Sequence, residues 1–148
     1  MKHILVALCV LLAIGIACGP VEAYTENFAL SAGESLTREV SLNVDDRVSG
    51  RVAIVGGPIN FSVSGPNDEI IQSGTVSNPL DFQFIAENKG TYKFHFENLF
   101  AENSRSVTLN YNVQHYIFGF PQEFVILFAI VGFALVGIVV FIAMSPKP

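Results

Sequence analysis

The sequence predicts an all-β domain, an antiparallel β-sandwich of about seven to eight strands, placed between an N-terminal signal peptide and one C-terminal transmembrane helix. Three observations carry this. The chain is 51% hydrophobic and only 14% charged over 148 residues, with a mean hydropathy of +0.48; that is too apolar for an ordinary soluble domain. The apolar excess lies at the two ends. Between them, apolar residues recur at every second position in short segments separated by Gly, Pro, Asn and Asp, which is the period of strands with one buried and one wet face.

The N-terminus comes first. Lys2 and His3 precede an apolar run from Ile4 to Ala17, followed by Gly19, Pro20 and Val21-Glu22-Ala23. A basic start, a short greasy stretch and a small-residue exit have the order of a secretory signal, so residues 1–23 are expected to be removed by cleavage after Ala23. The run is short of the roughly 20 residues of a spanning helix, which is the alternative. Acylation of Cys18 is a further alternative, but Gly15 stands where a lipoprotein signal carries a bulky aliphatic residue.

At the other end, residues 124–144 (FVILFAIVGFALVGIVVFIAM) contain no charge and have the length that crosses a bilayer core. Only a helix satisfies its own backbone groups in lipid. Tyr116, Phe118 and Phe120 precede it in a juxtamembrane segment, residues 116–123, and Lys147 follows it in a tail, residues 145–148; these are the aromatic and cationic flanks of a membrane helix. The expected topology is single-pass, with the N-terminal domain extracytoplasmic and membrane lipid contacted through residues 124–144.

Residues 24–115 then form the exported domain. Its inward series are Leu36, Arg38, Val40, Leu42; Val48, Val52, Ile54; Ile59, Phe61, Val63; Leu80, Phe82, Phe84; Tyr92, Phe94, Phe96; and Val107, Leu109, Tyr111, Val113. Gly56-Gly57-Pro58, Gly65-Pro66-Asn67-Asp68, Ser77-Asn78-Pro79 and Glu87-Asn88-Lys89-Gly90 supply the turns. The Phe82–Ala86 and Tyr92–Phe96 segments are expected to pair with each other across the Glu87–Gly90 turn, with their rings on one face.

Eleven acidic residues face six basic ones between Tyr24 and Pro121, a net charge of −5. A surface that grips nucleic acid needs the opposite balance, so no nucleic acid partner is expected. Both cysteines, Cys9 and Cys18, lie in the signal, so the mature domain is expected to have no disulfide and no cysteine ligand or nucleophile.

The stretches FSVSGPNDEII (61–71), FQFIAENKGTYKFHFENLF (82–100) and SVTLNYNV (106–113) resemble the GOLD domain of the p24 (emp24/gp25L) membrane proteins. The shared features are a strand, a Pro-containing turn, a second strand and an aromatic strand opened by Gly90-x-Tyr92 and closed by Phe96-x-Asn98, with Phe94 between them. The resemblance implies an exported sandwich that acts as a protein-binding or adaptor module, in an endoplasmic reticulum or Golgi membrane if the host is eukaryotic and otherwise in the cell membrane. The family's cargo-receptor branch also carries a cysteine pair, a coiled coil before the anchor and a sorting tail. Here His95 takes the place of one cysteine, Val113 leads almost directly to the membrane, and Ser145-Pro146-Lys147-Pro148 has neither an aromatic nor a dibasic signal.

The remaining polar residues suggest little chemistry. His95, between Lys93 and Glu97, reads as a polar residue on a wet strand face, and His115 as an interfacial side chain. Asp45-Asp46 and Asp68-Glu69 read as turn acids that are only solvated, being too few to supply the six to eight oxygens calcium takes, with Asn67-Asp68 serving its turn through side-chain to backbone hydrogen bonds. No nucleophile elbow, phosphate loop or zinc-protease helix is present in the sequence, so no catalytic residue, metal ligand or cofactor is expected and the chain reads as a non-enzyme. Asn60-Phe61-Ser62 is an N-glycosylation acceptor pattern. Two functions stay open: a module that binds another exported or membrane protein, and an accessory subunit of a membrane complex assembled through its transmembrane helix.

Overall fold

A computed structural model describes residues 22–99 and 103–144. Eight strands form two four-stranded antiparallel sheets: β1 (Glu22–Leu30), β2 (Ser35–Leu42), β3 (Arg47–Val55), β4 (Ile59–Ser64), β5 (Ile70–Val76), β6 (Leu80–Ile85), β7 (Gly90–Glu97) and β8 (Arg105–Gln114). One sheet has the order β1-β8-β3-β6 and the other β2-β7-β4-β5, so the domain is the expected β-sandwich. Two expected features lie outside the described residues: the signal peptide up to Val21, with Cys9 and Cys18, and the tail from Ser145.

Strand alternation sets the faces. Each sheet turns its apolar positions inward, and Leu30, Val48, Val52, Ile59, Phe61, Val63, Tyr92, Phe94, Phe96, Val107 and Leu109 are all 1% exposed or less. Rings from the two sheets meet in the middle: Phe94 lies 5.5 Å from Phe82 and 5.2 Å from Tyr111, and Phe61 lies 5.5 Å from Phe82. Such tilted pairs contribute about 0.5–1.5 kcal/mol each beyond the area they bury.

The expected β6–β7 hairpin does not exist. β6 pairs with β3, and β7 pairs with β2 and β4, so the Ala86–Lys89 connection crosses from one sheet to the other. The rings of the two strands still approach, Phe84 stacking on Tyr92 at 5.6 Å, but across the core rather than along a ladder. Alternation tells which side of a strand is buried and says nothing of which strand it bonds. Two strands also appear where no inward series was read. β1 alternates Tyr24, Glu26, Phe28 and Leu30 toward the core, and its charged member hides the period. β5 is exposed along most of its length, so it has little apolar pattern to read.

The turns follow residue chemistry. Gly33, Gly56 and Gly57 adopt positive φ, as do Asp45 and Asp68, the small set of residues that tolerate it. In the Gly65–Glu69 turn, the Asn67 N–H is bonded by the Glu69 carboxylate at 2.9 Å. The side chain of Asp68, expected to serve its own turn, instead meets Lys93 at 2.8 Å.

The C-terminal unit is separate from the sandwich. Phe118 and Gly119, both at positive φ, form the two-residue turn of a small hairpin, β9 (Tyr116–Ile117) with β10 (Phe120–Pro121). The helix α1 (Gln122–Met144) follows at once, starting two residues before the apolar run predicted from sequence. Its segment Gln122–Val139 has a mean hydropathy of 2.3 and none of it is buried within the protein.

Candidate binding surfaces

The outer face of the β2-β7-β4-β5 sheet carries hydroxyls, amides and a histidine in cross-strand rows. One row is Thr37, His95, Ser62 and Ser73; the next is Ser35, Glu97, Asn60 and Thr75. His95 sits between two partners, its Nδ1 2.9 Å from Thr37 Oγ1 and its Nε2 2.9 Å from Glu97 Oε1. Hydroxyl, imidazole and carboxylate thus stand in the order of a hydrolytic triad. The row lies on an open sheet surface, and β7 spends its backbone N–H groups on the ladders to β2 and β4, so none is free to stabilise an oxyanion there. The arrangement instead fixes His95 by two neutral or charge-assisted bonds. Lys93, one row further, is held above its ordinary basicity by its hydrogen bond to Asp68, with Glu39 adding to the effect.

The outer face of the β1-β8-β3-β6 sheet is a shallow groove of about 740 Å³ lined by Ser49, Arg51, Asp81, Gln83, Asn110 and Asn112. The guanidinium of Arg51 grips both carboxylate oxygens of Asp81, and this hydrogen bonding holds the pKa of the Asp81 carboxyl below its usual value. This pair is fully open to water, where screening removes most of its energy.

Along one side, where β1 and β2 are the sheet edges, the sandwich is closed by an inter-sheet ion pair. Arg38, the cation in the otherwise apolar β2 series, points inward, donates to both oxygens of Glu26 on β1 and lies over the Phe28 ring at 5.4 Å. Hydrogen bonding from Arg38 holds the Glu26 carboxyl below its ordinary value of 4.5 against the opposing effect of desolvation. Tyr111, nearby, is pushed up by desolvation and then by Glu26.

At the end of β8 the turn acids prove not to be only solvated. Asp46 is 1% exposed. Its carboxylate accepts the Asn43 N–H at 2.8 Å and meets His115 Nδ1 at 2.9 Å, while its backbone carbonyl accepts the Ala86 N–H. One aspartate therefore ties the β2–β3 turn, the β6–β7 connection and the end of β8 together, and His115 serves as its partner.

The motif residues have plain structural surroundings. Gly90 lies against Pro66: a Cβ there would come within 2.5 Å of the proline Cβ, so the Gly-x-Tyr opening and the Pro-containing turn fit each other. The Tyr92 hydroxyl donates to the Asn88 carbonyl at 3.0 Å and secures the β6–β7 connection. Phe94 and Phe96 are fully buried. Asn98 is also fully buried, and its amide donates to the carbonyls of Leu30, Ser31 and Asn103. Asn60 lies half-buried on the outer face, its Oδ1 accepting from Thr75. Ala23 is exposed in β1 opposite Asn112.

Sequence reasoning missed the Glu26–Arg38 clamp and the Asp46–His115 pair. Arg38 was visible as a charge at an inward position, which demands an acid; nothing in the spacing pointed to Glu26. Among the described residues, no three His, Cys, Asp or Glu side chains are grouped to hold a metal ion.

The class this defines is a β-sandwich followed by a helix long and apolar enough to span a membrane. The model of the emp24/gp25L/p24 family/GOLD matches residues 27–119, and the chain belongs to that family. No curated protein matches the sequence. Among solved structures, the chain is similar to the pre-peptidase C-terminal domain of a collagenase from Bacillus anthracis, with a TM-score of 0.52, 14% identity and coverage of 63% of this chain and 97% of that one. It is also similar to PliG of Aeromonas hydrophila, a periplasmic inhibitor of g-type lysozyme, at a TM-score of 0.50 and 14% identity over 64% of this chain and 88% of that one. The Yersinia pseudotuberculosis-derived mitogen matches at a TM-score of 0.50 and 6% identity over 66% and 91% of the two chains. At these identities the likeness is one of fold.

Proposed function

We propose that the protein is a single-pass, membrane-anchored, non-enzymatic module whose extracytoplasmic sandwich binds another exported or membrane protein, and whose helix holds that binding surface near the bilayer. The observation that carries this is the short connection. The sandwich ends at Gln114 and the apolar helix begins at Gln122, and six of the seven intervening residues, 116–121, form the β9–β10 hairpin with its turn. Seven residues extend at most about 25 Å, so the sandwich is held close to the membrane surface in a way a long flexible linker would not achieve. The hydroxyls and amides on the two outer faces, interspersed with charges of both signs, suit hydrogen bonding to a partner more than electrostatic capture of a polyanion.

The test is photo-cross-linking in native membranes from Ser49, Ser62 and Ser73, which sample both outer faces and the β5 edge. Recovery of a discrete protein neighbour supports the module, and recovery of lipid alone from every position refutes it. Replacing residues 124–144 with an unrelated apolar span should leave that neighbour in place. Loss of it would favour an accessory subunit assembled through the helix.

A further inference from the structure

Four strands form the sheet edges: β1, β6, β2 and β5. An edge strand offers a row of unpaired backbone N–H and C=O groups, and natural sheets usually blunt it with charge, proline or a covering contact. Three of the edges here are blunted. β1 and β2 carry Glu26, Arg38 and Glu39, and the Glu26–Arg38 pair spans them. β6 is six residues long, follows Pro79 directly and carries Asp81. β5 has none of these devices. Its sequence, IIQSGTV, contains neither charge nor proline, and six of its seven residues are at least partly exposed. An extra residue disturbs the pairing with β4 only at its start; from Gln72 to Val76 the register is regular.

A second feature specifies the partner. Gly74 stands opposite buried Phe61, so its position is directed inward, yet a Cβ built there would meet no heavy atom within 4 Å. Its φ is not positive, so no backbone conformation demands glycine. The other sheet offers a direct comparison. Gly50 of β3 also lies at an inward position, and there the ring of Phe82 on the neighbouring strand occupies the space a Cβ would take. An aromatic side chain on an adjacent strand is the usual way a sheet covers a glycine. At Gly74 the adjacent position on one side belongs to no strand of the domain.

We infer that β5 is a strand-addition site that receives an extended, uncharged segment of a second protein, pairing with Gln72–Val76 and placing a bulky apolar side chain beside Gly74. Backbone hydrogen bonds supply the attachment and the glycine notch supplies the selectivity, the division of labour found in β-augmentation. The inference rests on the binding-module reading and names its partner's chemistry.

The test uses the full chain in detergent micelles and an end-blocked seven-residue peptide of alternating threonine and valine with phenylalanine at its centre, read by amide hydrogen exchange. The peptide should slow exchange of the Gln72–Val76 amides by about tenfold or more, as a new ladder protects an edge. A glycine-centred peptide should need roughly tenfold higher concentration, a loss of about 1.4 kcal/mol. Gly74→Lys should abolish the effect and Gly74→Phe should weaken it, because each fills the notch from within; the open space at Gly74 lets both fold, which circular dichroism checks. Ser106→Lys, on the exposed outer face of the other sheet, should bind as the native chain does. Protection at other strands, no protection, or full binding by Gly74→Lys overturns the inference. Concentration-dependent protection of β5 without peptide overturns it in favour of a second copy of this chain. If strand addition fails while cross-linking from Ser49 or Ser62 still recovers a protein neighbour, the module stands without this site; if those positions also yield lipid alone, both readings fall.

Discussion

Asn98 gives the sharpest test of how the fold is held. It is fully buried at the end of β7. Its backbone N–H reaches the Glu34 carbonyl and its carbonyl accepts the Gly33 N–H, both at 2.9 Å. Its side-chain amide faces three more carbonyls, those of Leu30, Ser31 and Asn103, at 3.0–3.1 Å. Asn98→Asp keeps the shape and the backbone bonds but replaces the donor by an acceptor. Two amide protons are shared among three acceptors, so about two net hydrogen bonds of ~0.5–1.5 kcal/mol each are lost. The carboxylate then faces the carbonyl oxygens to which the amide had donated, which brings the expected cost at pH 7 to about 3–5 kcal/mol, the range for a buried charge without its partner. A domain of this size is stable by about 5–15 kcal/mol, so the variant should approach its limit. Asn98→Ala leaves the carbonyls unbonded without adding charge and should cost less, about 2–3 kcal/mol.

The assay is urea unfolding of the full chain in micelles, followed by near-ultraviolet circular dichroism of its tyrosines, since it has no tryptophan. The pH arm separates charge from packing. In Asn98→Asp the folded state raises the carboxyl pKa above its unfolded value, so the folded state binds more protons there. Stability should therefore recover as pH falls through that raised folded pKa toward the unfolded value near 4, where a protonated carboxyl can donate one bond. Asn98→Ala should show no such recovery. Equal stability of Asn98→Asp and the native chain at pH 7, or parallel pH profiles for the two variants, would refute the reasoning.

Three further outcomes are expected. For Glu26, whose carboxyl is held below 4.5 by Arg38, the pair's contribution is complete above the unfolded pKa and is lost as pH falls through the lowered folded value; since both side chains are over a third exposed it amounts to about 1 kcal/mol or less, and the unfolding difference between native and Arg38→Met should shrink below about pH 4. Phe94→Ala, which empties the ring site against Phe82, Phe84 and Tyr111, should cost about 3–5 kcal/mol and halt surface delivery, checked by surface labelling. Gly90→Ala should displace the Pro66 turn at a cost of about 1–3 kcal/mol, seen as a lowered urea midpoint.

What could be read from the sequence was whatever repeats locally. Period two placed six of the eight strands and nearly all of the core, because a one-residue error would have turned every ring to water. The Gly- and Pro-rich turns were placed for the same reason, since backbone geometry there admits few residue types. Pairing was not legible: Phe82 and Phe94 look like hairpin neighbours in sequence and are neighbours in space, yet they lie on different sheets. The polar contacts were hidden for a related reason. Glu26 reaches Arg38 and Asp46 reaches His115 only after the sheets are stacked, and no spacing rule anticipates a contact made by folding. β5 was missed because a strand that buries little writes little pattern.

The position of β8 joins the fold to the anchor. It is an inner strand, paired at nine positions with β1, from Val113 opposite Glu22 to Arg105 opposite Leu30, and at nine with β3, from Gln114 opposite Arg47 to Ser106 opposite Val55. A load arriving through the tether is therefore met first by two full ladders, where an edge strand would meet it with one. The Asp46–His115 pair adds a side-chain tie at the residue that follows β8. β1, which supplies one of the two ladders, begins at Glu22. Signal cleavage after Ala23 would leave Tyr24, stacked on Tyr111 of β8 at 5.2 Å, as the first residue, and would shorten that ladder by the Glu22 and Ala23 pairs alone. β8, which leads to the helix, would then still be flanked on both sides, and the proposed strand-addition edge, β5, lies in the other sheet, away from both of its ladders.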